Sequence, residues 1–96
     1  MRFKVDLKRI FLSEFMKASI EISMYPLTEK YGTPILQFIH RLKEYPELEV
    51  RSNTMSTQVF GEYDDLMKIM TKEMKTTFEG VNETVMVFKI ANLDLR

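Results

Sequence analysis

The stretch Ala18-Ser19-Ile20-Glu21-Ile22-Ser23-Met24-Tyr25-Pro26 decides the fold. Ala18, Ile20, Ile22 and Met24 fall on one side of an extended strand, and Ser19, Glu21, Ser23 and Tyr25 on the other. Side chains alternate faces along a strand, so this reads as a half-buried strand with one apolar and one polar face. Pro26 has no amide hydrogen to give to a ladder and should end the strand. The expectation is a central strand whose apolar face packs on two helices and whose polar face supplies a binding surface.

Downstream, Leu27 to Gly32 form a polar connector, and Thr33-Pro34 reads as an N-cap followed by proline at the first helical position. Ile35, Phe38, Ile39 and Leu42 follow at helical spacing, and Tyr45-Pro46 ends that helix. Leu48 to Asn53 alternates again, with Leu48 and Val50 inward and Glu49, Arg51 and Asn53 outward. Met55 to Gly61 is a third extended run, joined to the second through a hairpin at Ser52-Asn53-Thr54. In it Met55, Thr57 and Val59 should share a face, opposite Ser56, Gln58 and Phe60.

Glu62 to about Phe78 carries Tyr63, Leu66, Met67, Met70 and Met74 at three- and four-residue steps, with acidic residues in the first turn. It reads as a second helix, with Gly61 as its hinge and Gly80 as its stop. The methionine stripe is read as core packing, on the only apolar face of that helix. The last run, Glu83 to Ala91, is apolar on both sides: Val85 and Val87 alternate with Met86, Phe88 and Ile90. Such a strand should be buried on both faces. In a two-layer domain only another subunit can cover one of them, which argues for oligomerisation.

Upstream, Leu7, Ile10, Phe11 and Phe15 lie on one helical face, so residues 1–17 read as a short amphipathic extension packed on the body or on a neighbouring subunit. Ile10-Phe11-Leu12 is too short for a signal-peptide core or a membrane span. Met16, just before the strand, is an alternative start of the domain. The layout is an extension over 1–17 and a single domain over 18–96. The element order is strand, helix, strand, strand, helix, strand. That is the ferredoxin-like βαββαβ arrangement of the α+β class: a four-stranded antiparallel sheet, first and last strands adjacent, both helices on one face. The other face should collect Glu21, Ser23, Tyr25, Arg51, Asn53, Ser56, Gln58 and Phe60.

Composition narrows the function. The 96 residues carry 14 basic and 14 acidic side chains, so no bulk charge draws the chain to nucleic acid or an anionic membrane. The chain has no cysteine, which removes disulfides, thiolate nucleophiles and cysteine-ligated metals, and fits a cytoplasmic protein. An RNA-recognition sheet needs a basic, glycine-containing signature that Ser56-Thr57-Gln58-Val59-Phe60-Gly61 does not match. A P-loop, a G-x-G-x-x-G and a Ser-His-Asp set are absent as local motifs, which leaves open a site assembled only in space. The single histidine, His40, has no partner at ligand spacing and reads as a helix-surface residue.

Ile22-Ser23-Met24-Tyr25-Pro26-Leu27-Thr28 resembles the strand-end motif Ser-Leu-Tyr-Pro-Met of the YkoF-like thiamine-binding family. Met55-Ser56-Thr57-Gln58-Val59-Phe60-Gly61, with Asp64 after it, is similar to that family's Ile-Ser-Thr-Val-Leu-x-Gly-x-x-Asp. The resemblance runs from about residue 18 to 91 and points to the single-module branch, whose members assemble through their sheets. It implies reversible binding of thiamine or its hydroxymethylpyrimidine half without catalysis. By motif position it implies Ser23, Tyr25, Ser56 and Thr57 as ligand residues.

Chemistry adds Asn53 and Gln58, because an aminopyrimidine edge needs hydroxyl and amide groups. Tyr25 or Phe60 offers a ring to the cationic thiazolium, and Glu21 a balancing charge. The plainer reading of Ser23 and Tyr25 is cross-strand pairing on an exposed sheet. Thr57 has helix-facing parity unless a bulge intervenes near Ser56. The expected function is thus non-catalytic binding of a thiamine-like small molecule by a homodimer or homotetramer joined through the sheet face. No cofactor, metal, nucleic acid or membrane partner is expected. The alternatives are a structural or regulatory assembly module whose polar face is only an interface, and an enzyme whose site spans subunits.

Overall fold

A computed structural model describes residues 16–30, 32–80 and 83–96. The expected amphipathic extension lies outside these residues except for Met16 and Lys17. The elements are β1 (Lys17–Pro26), α1 (Gly32–Lys43), β2 (Glu49–Ser52), β3 (Thr57–Glu62), α2 (Tyr63–Gly80) and β4 (Thr84–Ala91). The strands form one antiparallel sheet in the order β2-β3-β1-β4, so β1 is central and beside β4, as the ferredoxin-like reading requires. Pro26 is the last residue of β1, although the ladder gains one further bond, from the Leu27 amide to the Glu83 carbonyl at 2.9 Å.

The alternation in β1 sorts the core. Ala18, Ile20 and Ile22 join Val59 of β3, Phe38 and Leu42 of α1, and Leu66, Ile69 and Met70 of α2 in one buried cluster. Side chains such as Leu42 and Leu66, both at 0% exposure, are each worth about 1.5–3 kcal/mol in removed apolar surface. α1 begins at Gly32, two residues before the Pro34 start that a Thr33 cap implies, and buries Pro34, Phe38, Ile39 and Leu42.

Several sequence expectations are corrected. β3 starts at Thr57, not Met55, and Met55 is 85% exposed in the hairpin loop. The loop is 53–56, because the Asn53 side-chain oxygen accepts from the amides of Met55 and Ser56 at 2.8 and 3.0 Å and closes a turn that competes with the ladder. The buried face of α2 is Leu66, Ile69, Met70, Glu73 and Thr77, so Met67 and Met74 move to its half-buried flank and Tyr63 to the surface. Polar residues enter that face because α1 and the turn that follows it supply their partners. Arg41 donates to Glu73 Oε1 and to Thr77 Oγ1, both at 2.6 Å, and the Tyr45 hydroxyl donates to Glu73 Oε2 at 2.6 Å.

The third correction concerns β4. It lies at the sheet edge, and its helix side, expected to be buried, stays half-open, with Phe88 at 41% and Ile90 at 44%; Val85 at 48% and Val87 at 55% lie on the open side, the face expected to be bare in a single chain. Gly61 is not a hinge but lies inside β3, where a Cβ would stand 3.1 Å from both the Glu47 carbonyl oxygen and Leu48 Cδ2. Its small size lets the chain entering β2 pass close over the sheet.

The C-terminal residues cross the open face, which the sequence reading leaves bare. Ser19 Oγ donates to the Leu93 carbonyl at 2.6 Å and accepts from the Leu95 amide at 2.9 Å. The Arg96 guanidinium lies 5.8 Å from the Phe60 ring centre and Arg51 lies 5.4 Å from it, leaving Phe60 only 5% exposed. Ser19→Ala is expected to lower stability by about 1–2 kcal/mol, since it strips a partner from two backbone groups of the tail. Urea unfolding checks the loss. Hydrogen exchange at the Leu95 amide that speeds up by more than the global loss accounts for locates it in the tail.

Candidate functional site

A cleft of about 390 Å³ opens where β1 ends. One wall is β1 from Ile22 to Pro26, the second is Ile35, Phe38 and Ile39 of α1, and the lip is the hairpin from Asn53 to Thr57. Each part follows from local sequence. The apolar stripe that packs α1 on the sheet also floors the cleft, and the side-chain turn at Asn53 holds the lip in place. The Asn53 amide adds a bond to the Ser56 carbonyl at 3.0 Å.

Five of the six expected ligand residues line this cleft: Ser23, Tyr25, Asn53, Ser56 and Thr57. Gln58 does not. It sits on the open face, where its Nε2 donates to Ser56 Oγ at 2.8 Å and so braces the lip from behind. Ser56 Oγ in turn donates to Glu21 Oε2 at 3.1 Å, which commits its hydrogen and leaves one lone pair for a ligand. The turn occupies Asn53 Oδ1, so the Asn53 NH₂ is its remaining donor.

Thr57 has helix-side parity, as expected. No bulge interrupts its ladder, which runs in register from Ile22↔Thr57 to Lys17↔Glu62. It borders the cleft nonetheless, because the cleft takes in both parities at the end of β1, Ile22, Met24 and Thr57 of the helix side as well as Ser23, Tyr25 and Ser56 of the open side. Ile35, Phe38 and Ile39 were missed as site residues for the same reason: their spacing reads as core, and Phe38, at 1% exposure, is both core and cleft floor.

The electrostatics are neutral inside and ionic outside. Tyr25 is the only titratable side chain on the cleft wall among the described residues. Glu21 is outside it, and Lys89 already meets its charge at 2.9 Å. Hydrogen bonds from Lys89 and then from Ser56 hold the Glu21 carboxyl below its ordinary value of 4.5. A second hollow, about 480 Å³, lies on the open face between Ser19, Glu21, Phe60, Lys89 and Leu95. His40 is exposed on α1, away from both hollows. Among the described residues no three His, Cys, Asp or Glu side chains gather as a metal site. No described helix is long and apolar enough to cross a membrane.

No family model and no curated protein matches the chain. It is similar to several solved structures. One is a hypothetical protein of Methanocaldococcus jannascii, with 25% identity over 84% of each chain and a TM-score of 0.70. A second is a protein of Streptococcus pneumoniae, with 26% identity over 83% of this chain and 90% of that one, at a TM-score of 0.74. A third, from Thermotoga maritima, is named as a candidate thiamine biosynthesis/salvage protein; it shares 17% identity over 83% of this chain and 84% of that one, with a TM-score of 0.69. At that identity the third likeness shows the fold alone.

Proposed function

We propose that this chain is a non-catalytic binding module for thiamine or its hydroxymethylpyrimidine half, working as a homodimer or homotetramer. The observation that carries the reading is the convergence of Ser23, Tyr25, Asn53, Ser56 and Thr57 on one cleft with an apolar floor. Small-molecule sites are mostly apolar, about 300–1,000 Å³, with a few placed polar groups, and this cleft has that make-up. A neutral pyrimidine stacks on Tyr25 or slides over Phe38 while its edge meets the hydroxyl and amide groups of the lip. The name carried by the Thermotoga maritima protein of the same fold agrees with that ligand class. Among the described residues the wall supplies ring faces and neutral hydrogen-bonding groups and no paired acid and base, which favours reversible binding over bond-breaking.

Titration calorimetry with thiamine and with hydroxymethylpyrimidine tests the reading. Saturable heat is expected, together with thermal stabilisation of about 2.7 kcal/mol at a hundredfold excess over Kd. Joint Ser23→Ala and Tyr25→Phe substitution should abolish the heat and leave the oligomer intact. Absence of both heat and thermal shift with either compound rejects the ligand. Turnover on prolonged incubation would make the chain an enzyme.

A second reading has its own support. Tyr25 pairs with Val85, and Ser23 with Val87, so three exposed apolar side chains meet on the open face. That patch suits a sister subunit whether or not the cleft holds a ligand, and a monomer in sedimentation at micromolar concentration would count against it.

A further inference from the structure

Glu21 stands outside the cleft, yet it governs one of the groups on the lip. Lys89 Nζ meets Glu21 Oε1 at 2.9 Å and Ser56 Oγ meets Glu21 Oε2 at 3.1 Å, so each carboxylate oxygen has its own partner. The bonds from Lys89 and then from Ser56 hold the carboxyl below its ordinary value of 4.5, so at neutral pH it carries no proton and can only accept. Ser56 owns a single hydroxyl hydrogen, and Glu21 takes it. Gln58 must then turn its NH₂ toward Ser56, and its Nε2 lies 2.8 Å from Ser56 Oγ. What Ser56 has left is a lone pair. Asn53 is fixed in the opposite sense: its Oδ1 accepts from the Met55 and Ser56 amides at 2.8 and 3.0 Å, so its NH₂ is the end that remains. The lip therefore carries one acceptor and one donor that cannot trade roles. Ser23, Tyr25 and Thr57 bring hydroxyls, which serve in either role.

We propose that Glu21 is a positioning residue that makes the cleft select an amino-bearing pyrimidine edge over an oxo-bearing one, an inference that rests on the ligand reading above. The register places the device. The last ladder pair of β1 and β3 is Ile22↔Thr57, so Ser23 and Ser56 come next on the two strands, both on the open side and both lining the cleft. An aminopyrimidine carries an exocyclic NH₂ beside an unprotonated ring nitrogen. The amino group can give a hydrogen to Ser56 Oγ, and the ring nitrogen can take one from the Asn53 NH₂. The oxo analogue carries a carbonyl beside a ring N–H, the reverse at both positions. Its carbonyl would face a lone pair that Ser56 cannot turn away, and its ring N–H would face a donor. Leaving such groups unpaired in a cleft with an apolar floor costs about 10- to 100-fold in affinity. Glu21 has no charge to spare for a cationic ligand, since Lys89 already meets it, and it acts through Ser56 instead.

The test is calorimetric titration of the full chain, wild type and Glu21→Gln, with hydroxymethylpyrimidine and with its oxo analogue, in which oxygen replaces the ring amino group. Wild type is expected to bind the amino compound at least about tenfold more tightly. In Glu21→Gln the new amide can give its own hydrogen to Ser56 Oγ, which frees the hydroxyl to turn. The oxo analogue should then gain affinity and the preference should disappear. A merely structural effect would weaken both compounds alike and leave their ratio unchanged. Lys89→Ala separates charge from polarity: the carboxylate still takes the Ser56 hydrogen, so the preference should survive. Loss of the preference in Lys89→Ala would move the role to the Lys89 charge and overturn the assignment to Glu21. Equal binding of the two compounds by wild type, or an unchanged ratio in Glu21→Gln, overturns the proposal and leaves the ligand reading standing. Failure of wild type to bind either compound overturns both.

Discussion

Phe38→Ala is expected to cost about 3–5 kcal/mol, the range for deleting a fully buried aromatic ring. Phe38 is 1% exposed and belongs to the central cluster with Ile20, Leu42 and Val59. Small domains are stable by only about 5–15 kcal/mol, so this one ring decides a large share of the fold. The same residue floors the cleft, so its removal enlarges the space meant for a ligand. Two readouts should therefore move together: a lower denaturant midpoint with unchanged slope, and weaker heat on titration with hydroxymethylpyrimidine. Phe38→Leu separates them, because it keeps most of the buried volume and removes only the ring face. A normal binding heat in Phe38→Leu would take the ring out of ligand recognition. A loss in Phe38→Ala below about 1 kcal/mol would contradict the packing itself.

Glu73→Ala should cost about 3 kcal/mol. The Glu73 side chain is 6% exposed and bound by Arg41 and Tyr45; removing it strips the acceptor from Arg41 Nε and from the Tyr45 hydroxyl and leaves the Arg41 charge uncompensated, although its other end keeps Thr77 Oγ1. Breaking a buried pair from one side costs about 3–5 kcal/mol, and the lower end applies because Arg41 keeps 29% exposure and turns partly to water. Replacing Arg41 and Glu73 together by apolar residues of similar volume should be far milder, for no charge is then stranded.

The pH dependence carries a sign. Burial alone pushes the Glu73 carboxyl upward, but the hydrogen bonds from Tyr45 and Arg41 outweigh it and leave the group below its ordinary value of 4.5. Its contribution is thus complete above the unfolded value and is lost as pH falls through the lower folded value. Tyr45 runs the other way: the bond to Glu73, then burial, raises its hydroxyl above 10.0. That contribution is present below 10.0 and is lost as pH rises through the folded value. Wild-type unfolding free energy should therefore fall at both extremes. In Glu73→Ala both slopes should flatten; a profile unchanged from wild type would detach these groups from the linkage.

The topology was legible because it is written in local alternation. Ala18, Ile20 and Ile22 announce one buried face, Pro26 announces an end, and two amphipathic helices leave one economical way to cover that face. What stayed hidden depends on side chains far apart in sequence. Nothing near Glu73 says that Arg41 and Tyr45 will neutralise it, so the methionines look like the better core residues. Residues 92–96 have no periodicity, and their docking rests on one hydroxyl, Ser19, that reads as a solvent-facing strand position. The hairpin was misjudged by two residues because Asn53 closes the turn through its side chain, which no dipeptide signal marks.

The candidate site was legible by residue but not by location. The motif positions at Ser23, Tyr25, Ser56 and Thr57 do meet, yet their meeting place includes the helical layer, since strand twist and the end of β1 expose both parities at once. Gln58 was grouped with them on chemistry, and chemistry alone could not tell a wall from a brace.

The order in which the strands are made has a consequence for synthesis on the ribosome. β1 emerges early, but its ladder from Ser19 to Pro26 waits for β4, the final strand described. Until residues 84–91 leave the exit tunnel, the middle of the eventual sheet is itself a border with unused amides and carbonyls, open to the wrong neighbour. Long-range pairing of this kind is slow to form. The nascent chain thus passes through a stage in which its future centre needs shelter, and the window closes only once Ala91 has cleared the tunnel.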